Sequence, residues 1–150
     1  MPDFCRDAAD ADKAVCLAAV NHITKDDPKF VQNHLDFVIG QLDSKSAQVK
    51  LEAGEIIASA AKASPEQVAK AIPRLMEISK EEASIVRWGA AYALTEIAKS
   101  SDPKTTKQLL RFFKAEAKKE KLATVRNLYL DALAVLVKPK PQNTEGTETA

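Results

Sequence analysis

The sequence contains few of the residues that build β-sheets and tight turns. Aromatic residues make up 5% of its 150 residues, and glycine occurs only 4 times. A β-sandwich or barrel of this length needs more of both, because strands favour aromatic side chains and turns favour glycine. Apolar residues make up 45% of the chain and alanine is abundant, which favours helices. The composition predicts an all-α protein with a single domain.

Long apolar runs and cysteine-rich patterns are missing as well. No run approaches the roughly 18 apolar residues of a transmembrane helix, and the first residues are acidic where a signal peptide is basic. The sequence has two cysteines, and we expect Cys5 and Cys16 to be reduced, with Cys16 as a small core residue. The net charge of +1 disfavours a wholly basic nucleic-acid binder. These features predict a cytoplasmic protein without a membrane partner.

The sequence also has none of the common catalytic or metal-binding patterns. His22 and His34 fall on different predicted helices, with no cysteine or carboxylate at metal-ligand spacing. There is no glycine-rich phosphate loop and no Gly-x-Ser-x-Gly turn. We therefore expect no metal, no cofactor and no catalytic residue, and we favour a non-catalytic function.

An internal repeat of about 37 residues is the main positive feature. Each repeat begins with a residue typical of helix N-caps followed by proline: Asp27-Pro28, Ser64-Pro65 and Asp102-Pro103. Both residue types suit the first turn of a helix, where backbone amides lack partners. The stretch 64–67 also has the pattern of a capping box. A second shared feature is a valine followed by a basic residue: Val49-Lys50, Val86-Arg87 and Val125-Arg126.

Each period contains two segments with apolar residues at helical spacing. The predicted helices are 11–25, 29–43, 46–62, 65–80, 83–99, 103–121 and 123–138. The domain would then be 1–138, with a half repeat at about 11–25 and full repeats at about 28–62, 65–99 and 103–138. We expect residues 2–9 to form a short partner for the first helix. We expect the polar tail 139–150 to be disordered.

The first predicted helix has an apolar face at the same spacing as the later ones. That face comprises Cys16, Ala19, Val20 and Ile23. The first helical layer is incomplete, and it offers apolar surface at Phe4, Val15, Leu17 and Ala18. Because end repeats normally need a polar cap, we predict weak homodimerisation through the N-terminal end.

In the central repeat, an early proline in the first helix, Ile72-Pro73-Arg74, is followed by a Val-Arg pair and an Ala-Ala-x-Ala-Leu run at 86–94. This pattern resembles the HEAT repeat. The resemblance implies an α-α superhelix of about three and a half helical hairpins. It also implies a concave face lined by the second helix of each hairpin. HEAT scaffolds serve many functions, so the resemblance identifies an architecture rather than an activity.

Solvent-side positions of the second helices form the candidate binding site on this concave face. They comprise central aromatics, surrounding carboxylates and lysines at one edge: Trp88, Tyr92, Glu55, Glu96, Asp131, Lys62 and Lys99. Trp88 and Tyr92 share one helix face, and we expect Gly89 to leave room for a ligand beside them. Trp88 is either an aromatic anchor for a partner or a residue packed over the neighbouring repeat. The lysines also suit helix C-termini, where a cation offsets the dipole.

A second candidate surface is basic. Residues 103–150 sum to a charge of +5, whereas 1–50 and 51–102 each sum to −2. The basic outer patch on helix 103–121 comprises Lys107, Arg111, Lys114 and Lys118. It is either a solvated outer face or a docking patch for an acidic protein or a nucleic-acid backbone.

The favoured function is a protein-interaction module, or scaffold, that holds a partner segment in the concave face. One alternative is a nucleic-acid-binding HEAT-like protein that uses its basic C-terminal repeat. Another is a HEAT-like lyase or a regulatory subunit of an enzyme, for which no motif is present.

Overall fold

The computed structural model describes residues 8–137, which are helical and contain no strand. The helices are α1 (Asp10–Asp26), α2 (Leu35–Gly40), α3 (Ala47–Ala60), α4 (Pro65–Ala69), α5 (Ile72–Ile78), α6 (Ser84–Ser100), α7 (Pro103–Lys119) and α8 (Ala123–Leu136). Two 3₁₀ segments, Pro28–His34 and Gln41–Asp43, flank α2. The prediction of an all-α protein is confirmed. Across residues 8–137, no helix is both long and apolar enough to cross a membrane.

Some predictions concern residues that lie outside this range. They include Cys5 and Phe4, nearly all of the expected partner segment 2–9, Lys138 at the end of the last repeat, and the tail 139–150.

The helices form two rows. The long helices α1, α3, α6 and α8 pack side by side in chain order. A back row contains the 3₁₀ segments, α2, α4, α5 and α7, each packed against the long helices. The core lies between the rows, where each repeat buries its valine anchor: Val49, Val86 and Val125. The back row contributes residues such as Leu35, Leu75 and Phe113 to the same core.

Two back-row helices predicted as continuous are interrupted. The segment 65–80 divides into α4 and α5, with Pro73 in the first turn of α5. Proline has no amide hydrogen and its ring collides with the carbonyl four residues earlier, so the chain begins a new helix at this point. The segment 29–43 is partly 3₁₀, yet Val31, Leu35 and Val38 stay buried on one side.

The helix caps agree with the sequence only in part. The carboxylate of Asp102 accepts a hydrogen bond from the Thr105 amide at 2.8 Å, so α7 has an N-cap. Asp27 and Ser64 form no side-chain cap, and the predicted capping box at 64–67 is wrong. Ser64 has φ −135° and ψ 57°, outside the extended region from which a capping hydroxyl reaches the helix amides. Ser46 instead caps α3, accepting from the Val49 amide at 3.2 Å.

Helix α1 is rotated relative to the prediction. Its buried residues are Leu17, Val20, Asn21 and Thr24, one position later than the expected face. One residue corresponds to a rotation of about 100°. The rotation turns the Asn21 side chain towards α3. Its amide group donates hydrogen bonds to Glu52 Oε1 at 3.2 Å and to Glu55 Oε1 at 2.9 Å.

The rotation also changes the surface at the N-terminal end. Leu17 is fully buried, so its assignment to the exposed apolar surface was wrong. Val15 is 71% exposed, and with Ile23 and Phe30 it lines an apolar depression of about 670 Å³. Homodimerisation through this end stays a prediction.

Cys16 departs from both expectations. It is half-buried rather than part of the core, and it is disulfide-bonded rather than reduced. The small number of cysteines in the sequence did not indicate this bond.

The long helices α3 and α6 touch through two glycines. A Cβ atom added to Gly54 would lie 2.9 Å from the Gly89 carbonyl oxygen, and one added to Gly89 would lie 3.3 Å from Leu51 Cα. Both glycines are buried. The expectation that Gly89 leaves room for a ligand is therefore wrong, because α3 occupies that space.

We predict that Gly54→Ala destabilises the protein by about 1–2 kcal/mol. Alanine is the better helix former by about 1 kcal/mol, but here its methyl group collides with backbone that cannot rotate away. Gly40→Ala is the control, because apart from the adjacent backbone no heavy atom lies within 4 Å of its added Cβ. Urea unfolding of the two variants measures the difference, and equal free energies of unfolding would contradict the close contact.

Candidate functional site

Two neighbouring depressions open on the face of the long helices, and we call them together the groove face. One, of about 180 Å³, lies between α6 and α8 and is lined by residues that include Leu128, Asp131 and Val135. The other, of about 500 Å³, lies between α3 and α6 and is lined by residues that include Ala58 and Lys62. Tyr92, Glu96 and Lys99 of α6 line both depressions. Five of the seven predicted site residues therefore surround one continuous surface.

The two aromatic residues of the predicted site stack on each other. The ring centroids of Trp88 and Tyr92 are 5.1 Å apart and their planes differ by 22°. Both are half-buried and pack against the core, so Trp88 is neither fully exposed nor fully buried. Tyr92 rather than Trp88 lines the two depressions. Trp88 thus supports the ring that a ligand would touch.

The surroundings of Tyr92 raise the pKa of its hydroxyl above the usual value of a tyrosine. Burial raises the pKa of Tyr92, and the negative charges of Glu96 and Glu55 raise it further, while Lys99 has the opposite effect. The phenol therefore retains its proton at physiological pH and can donate a hydrogen bond.

The carboxylates near the groove face differ in whether they already have hydrogen-bond or ion-pair partners. Glu52 is buried and accepts hydrogen bonds from Asn21 and Gln48. Glu55 accepts from Asn21. Glu96 pairs with Lys99 at 2.7 Å. Asp131 is exposed and forms no ion pair with any residue in the described range 8–137. It is the carboxylate of this face most available to a ligand.

The remaining predicted residues lie at helix ends or on the other row. Lys62 is exposed just beyond the end of α3, and Lys25 and Lys99 lie in the last turns of α1 and α6. These positions agree with the helix-dipole explanation of the lysines. The basic outer patch lies on α7 in the back row, so it is a separate surface from the groove face.

A network of charged residues at the turns between repeats was missed by the sequence analysis. Arg87 binds Glu120 through two hydrogen bonds, Nε to Oε1 at 2.9 Å and Nη2 to Oε2 at 3.2 Å. Its Nη1 donates to the Glu82 carbonyl at 2.6 Å. One repeat earlier, Lys50 pairs with Glu81 at 2.7 Å.

This network has a signal in the sequence. The basic residue behind each valine anchor recurs with the repeat, and Glu81 and Glu120 are 39 residues apart. A search for acidic residues at the repeat period could have found the pairs. Arg87 is therefore engaged in holding the repeats together.

Within residues 8–137, no group of three His, Cys, Asp or Glu side chains converges as a metal site. Comparison of the chain with known proteins gave no match to a family model, a curated protein or a solved structure.

We predict that Glu120→Gln lowers the free energy of unfolding at pH 7 by about 1–3 kcal/mol. Burial alone would raise the pKa of Glu120, but hydrogen bonds from Arg87 and the Leu122 amide outweigh it and hold the pKa below its usual 4.5. Because the pKa of Glu120 is lower in the folded state than in the unfolded state, its carboxylate stabilises the fold fully above the unfolded-state pKa. This stabilisation is lost as pH falls through the folded-state pKa. The difference between wild type and variant should accordingly shrink below about pH 4.5.

Chemical denaturation at pH 7 and at pH 3.5 tests this expectation. Glu77→Gln provides a matched control, because Glu77 forms an exposed pair with Arg74 on α5 and should matter much less. A pH-independent loss in Glu120→Gln, or an equal loss in both variants, would contradict the role of the Arg87–Glu120 pair.

Proposed function

We propose that this chain is a HEAT-like helical interaction module that binds a segment of a partner protein on the groove face. The observation that carries the proposal is the position of Tyr92, which has a depression on each side. An aromatic side chain in such a position offers a large contact area at little cost in conformational entropy.

The spacing of the two depressions limits the shape of the partner. They lie on either side of α6, so their separation is about one interhelical distance, roughly 8–10 Å. A polyproline II segment rises about 3.1 Å per residue with three residues per turn, so side chains i and i+3 lie on one side about 9 Å apart. A segment in this conformation, crossing the helices, places one side chain in each depression.

The charge of the groove face limits the composition of the partner. Leu128 and Val135 supply apolar contact in the smaller depression, and Val135 is 61% exposed. Asp131 lies beside them without an ion-pair partner in the described part of the chain. We therefore expect apolar residues at i and i+3 with a lysine or arginine nearby.

The charge of Asp131 also disfavours a nucleic acid on this face. Asp131 has no ion-pair partner among residues 8–137 and would repel phosphate, and Arg87 already binds Glu120. No specific observation favours the lyase or enzyme-subunit alternative.

The proposal predicts selective peptide binding. Fluorescently labelled peptides with apolar residues at i and i+3 and flanking lysines should bind more tightly than peptides with i, i+2 spacing or flanking glutamates. Tyr92→Ala should weaken this binding by about 30-fold, equivalent to ~2 kcal/mol, because the central contact is lost. Fluorescence anisotropy measures the affinity, and circular dichroism checks that the helices persist.

Two further variants separate the contributions of the Tyr92 hydroxyl and the Asp131 charge to peptide binding. Tyr92→Phe keeps the ring and removes the hydroxyl, so it should lose less affinity than Tyr92→Ala. Asp131→Lys should reverse the preference towards acidic peptides. Phe30→Ala, at an exposed aromatic residue near the N-terminal end, is the control and should bind as wild type. Normal peptide binding by a folded Tyr92→Ala variant would refute the proposed groove.

A further inference from the structure

The outward face of α7 carries only positive charge. Its exposed charged residues are Lys104, Lys107, Arg111, Lys114, Lys118 and Lys119. The single carboxylate of the helix, Glu116, is only 8% exposed and lies 3.6 Å from the Lys119 ammonium group. No acidic side chain within α7 therefore offsets the other five cations at the surface.

These five cations form a straight row along the helix, which we call the basic row: Lys104, Lys107, Arg111, Lys114 and Lys118. They are separated by three or four residues, so they lie on one side of α7. The row has one cation per helical turn of about 5.4 Å and a length of about 21 Å.

The basic row lacks partners in the described part of the chain. No residue between 8 and 137 forms an ion pair with any of its five members, whereas Lys50, Arg87 and Lys99 are all paired. Like charges at three- and four-residue spacing destabilise a helix. An external anion would remove this repulsion.

We propose that the basic row binds an acidic helix of a partner protein whose carboxylates repeat at intervals of three and four residues. Such a helix has the same repeat distance as α7, so each turn of the partner presents a carboxylate to one cation. The two helices would lie side by side with their axes roughly aligned. This surface is on the back row, so the inference does not depend on the groove face.

Acidic residues near both ends of the basic row favour a short anionic ligand over a long one. At the start of α7, Glu66 and Asp102 line a depression with Thr105. At its end, Glu81 and Glu82 line another depression with Lys119. A helix with the length of the row, about 21 Å, stays between these carboxylates. A longer stretch of duplex DNA, with one charge per ~1.7 Å of axis, would extend past the ends of the row and meet them.

The side chains on α7 also lack a feature typical of single-strand binding. Its aromatic residues, Phe112 and Phe113, are half-buried and buried, so they offer no exposed ring on which a base could stack. The basic row therefore offers a ligand a line of positive charge without an exposed aromatic ring.

Labelled synthetic peptides of 21 residues test the proposal at ~50 mM salt. The first peptide is helical with glutamates on one side at three- and four-residue spacing. The second has the same composition with its glutamates spread evenly around the helix. Fluorescence anisotropy should show the first binding at least tenfold more tightly, with affinity falling as salt is added.

Charge-reversal variants of the protein provide a second test of the proposal. The variant Lys107→Glu/Arg111→Glu/Lys114→Glu should lose at least about tenfold in affinity for the first peptide, and should bind the mirrored peptide with lysines in place of glutamates. The control Lys25→Glu/Lys29→Glu/Lys45→Glu changes the net charge equally at exposed positions away from α7 and should bind as wild type. Should the α7 variant unfold, Lys107→Gln/Arg111→Gln/Lys114→Gln replaces it, with a smaller loss expected.

Three results would overturn the proposal. The first is equal binding of the two acidic peptides, which would show that only net charge matters. The second is no measurable binding of the first peptide at ~50 mM salt. The third is tighter binding of duplex DNA or phosphatidylserine vesicles, lost in the α7 variant, which would assign the row to a nucleic acid or a membrane surface instead.

Discussion

The backbone contact between Gly54 and Gly89 determines how closely the two central helices approach, and the functional surfaces depend on it. With no side chain at either position, α3 and α6 pack at backbone distance. This contact brings Glu55 of α3 close enough to influence the pKa of Tyr92 on α6. A larger residue at either glycine would separate the helices and widen the depression between them.

A second constraint acts at the turns, where charged pairs join successive repeats. Lys50 reaches Glu81, and Arg87 reaches Glu120, in each case across about one repeat. The glycine contact controls the distance between helices, while these pairs control how far one repeat slides along the next. Because Arg87 also binds the turn carbonyls at Glu81 and Glu82, it restrains the loop before α6 as well. Together these contacts hold Tyr92 and Asp131 on one surface.

The same molecule thus uses its charges in two ways. Cations between repeats are paired, and those of the basic row find no ion-pair partner among residues 8–137. On the groove face the charge of Glu96 is paired with Lys99, whereas Asp131 has no ion-pair partner among residues 8–137. The outer face of α7 exposes cations only. A partner carrying both a basic extended segment and an acidic helix could contact both rows.

The sequence by itself determined the positions of the long helices, the three valine anchors and the placement of Trp88 and Tyr92 on one helix face, because helical periodicity depends on residues three and four apart. It did not determine the rotation of α1, which depends on an amide of Asn21 bonding to carboxylates 31 and 34 residues away. Nor did it reveal that Gly89 faces Leu51, that Ser64 fails to cap its helix, or that Cys16 is bridged. These features were decided by the tertiary structure, since each depends on contacts or backbone angles that local sequence patterns do not specify.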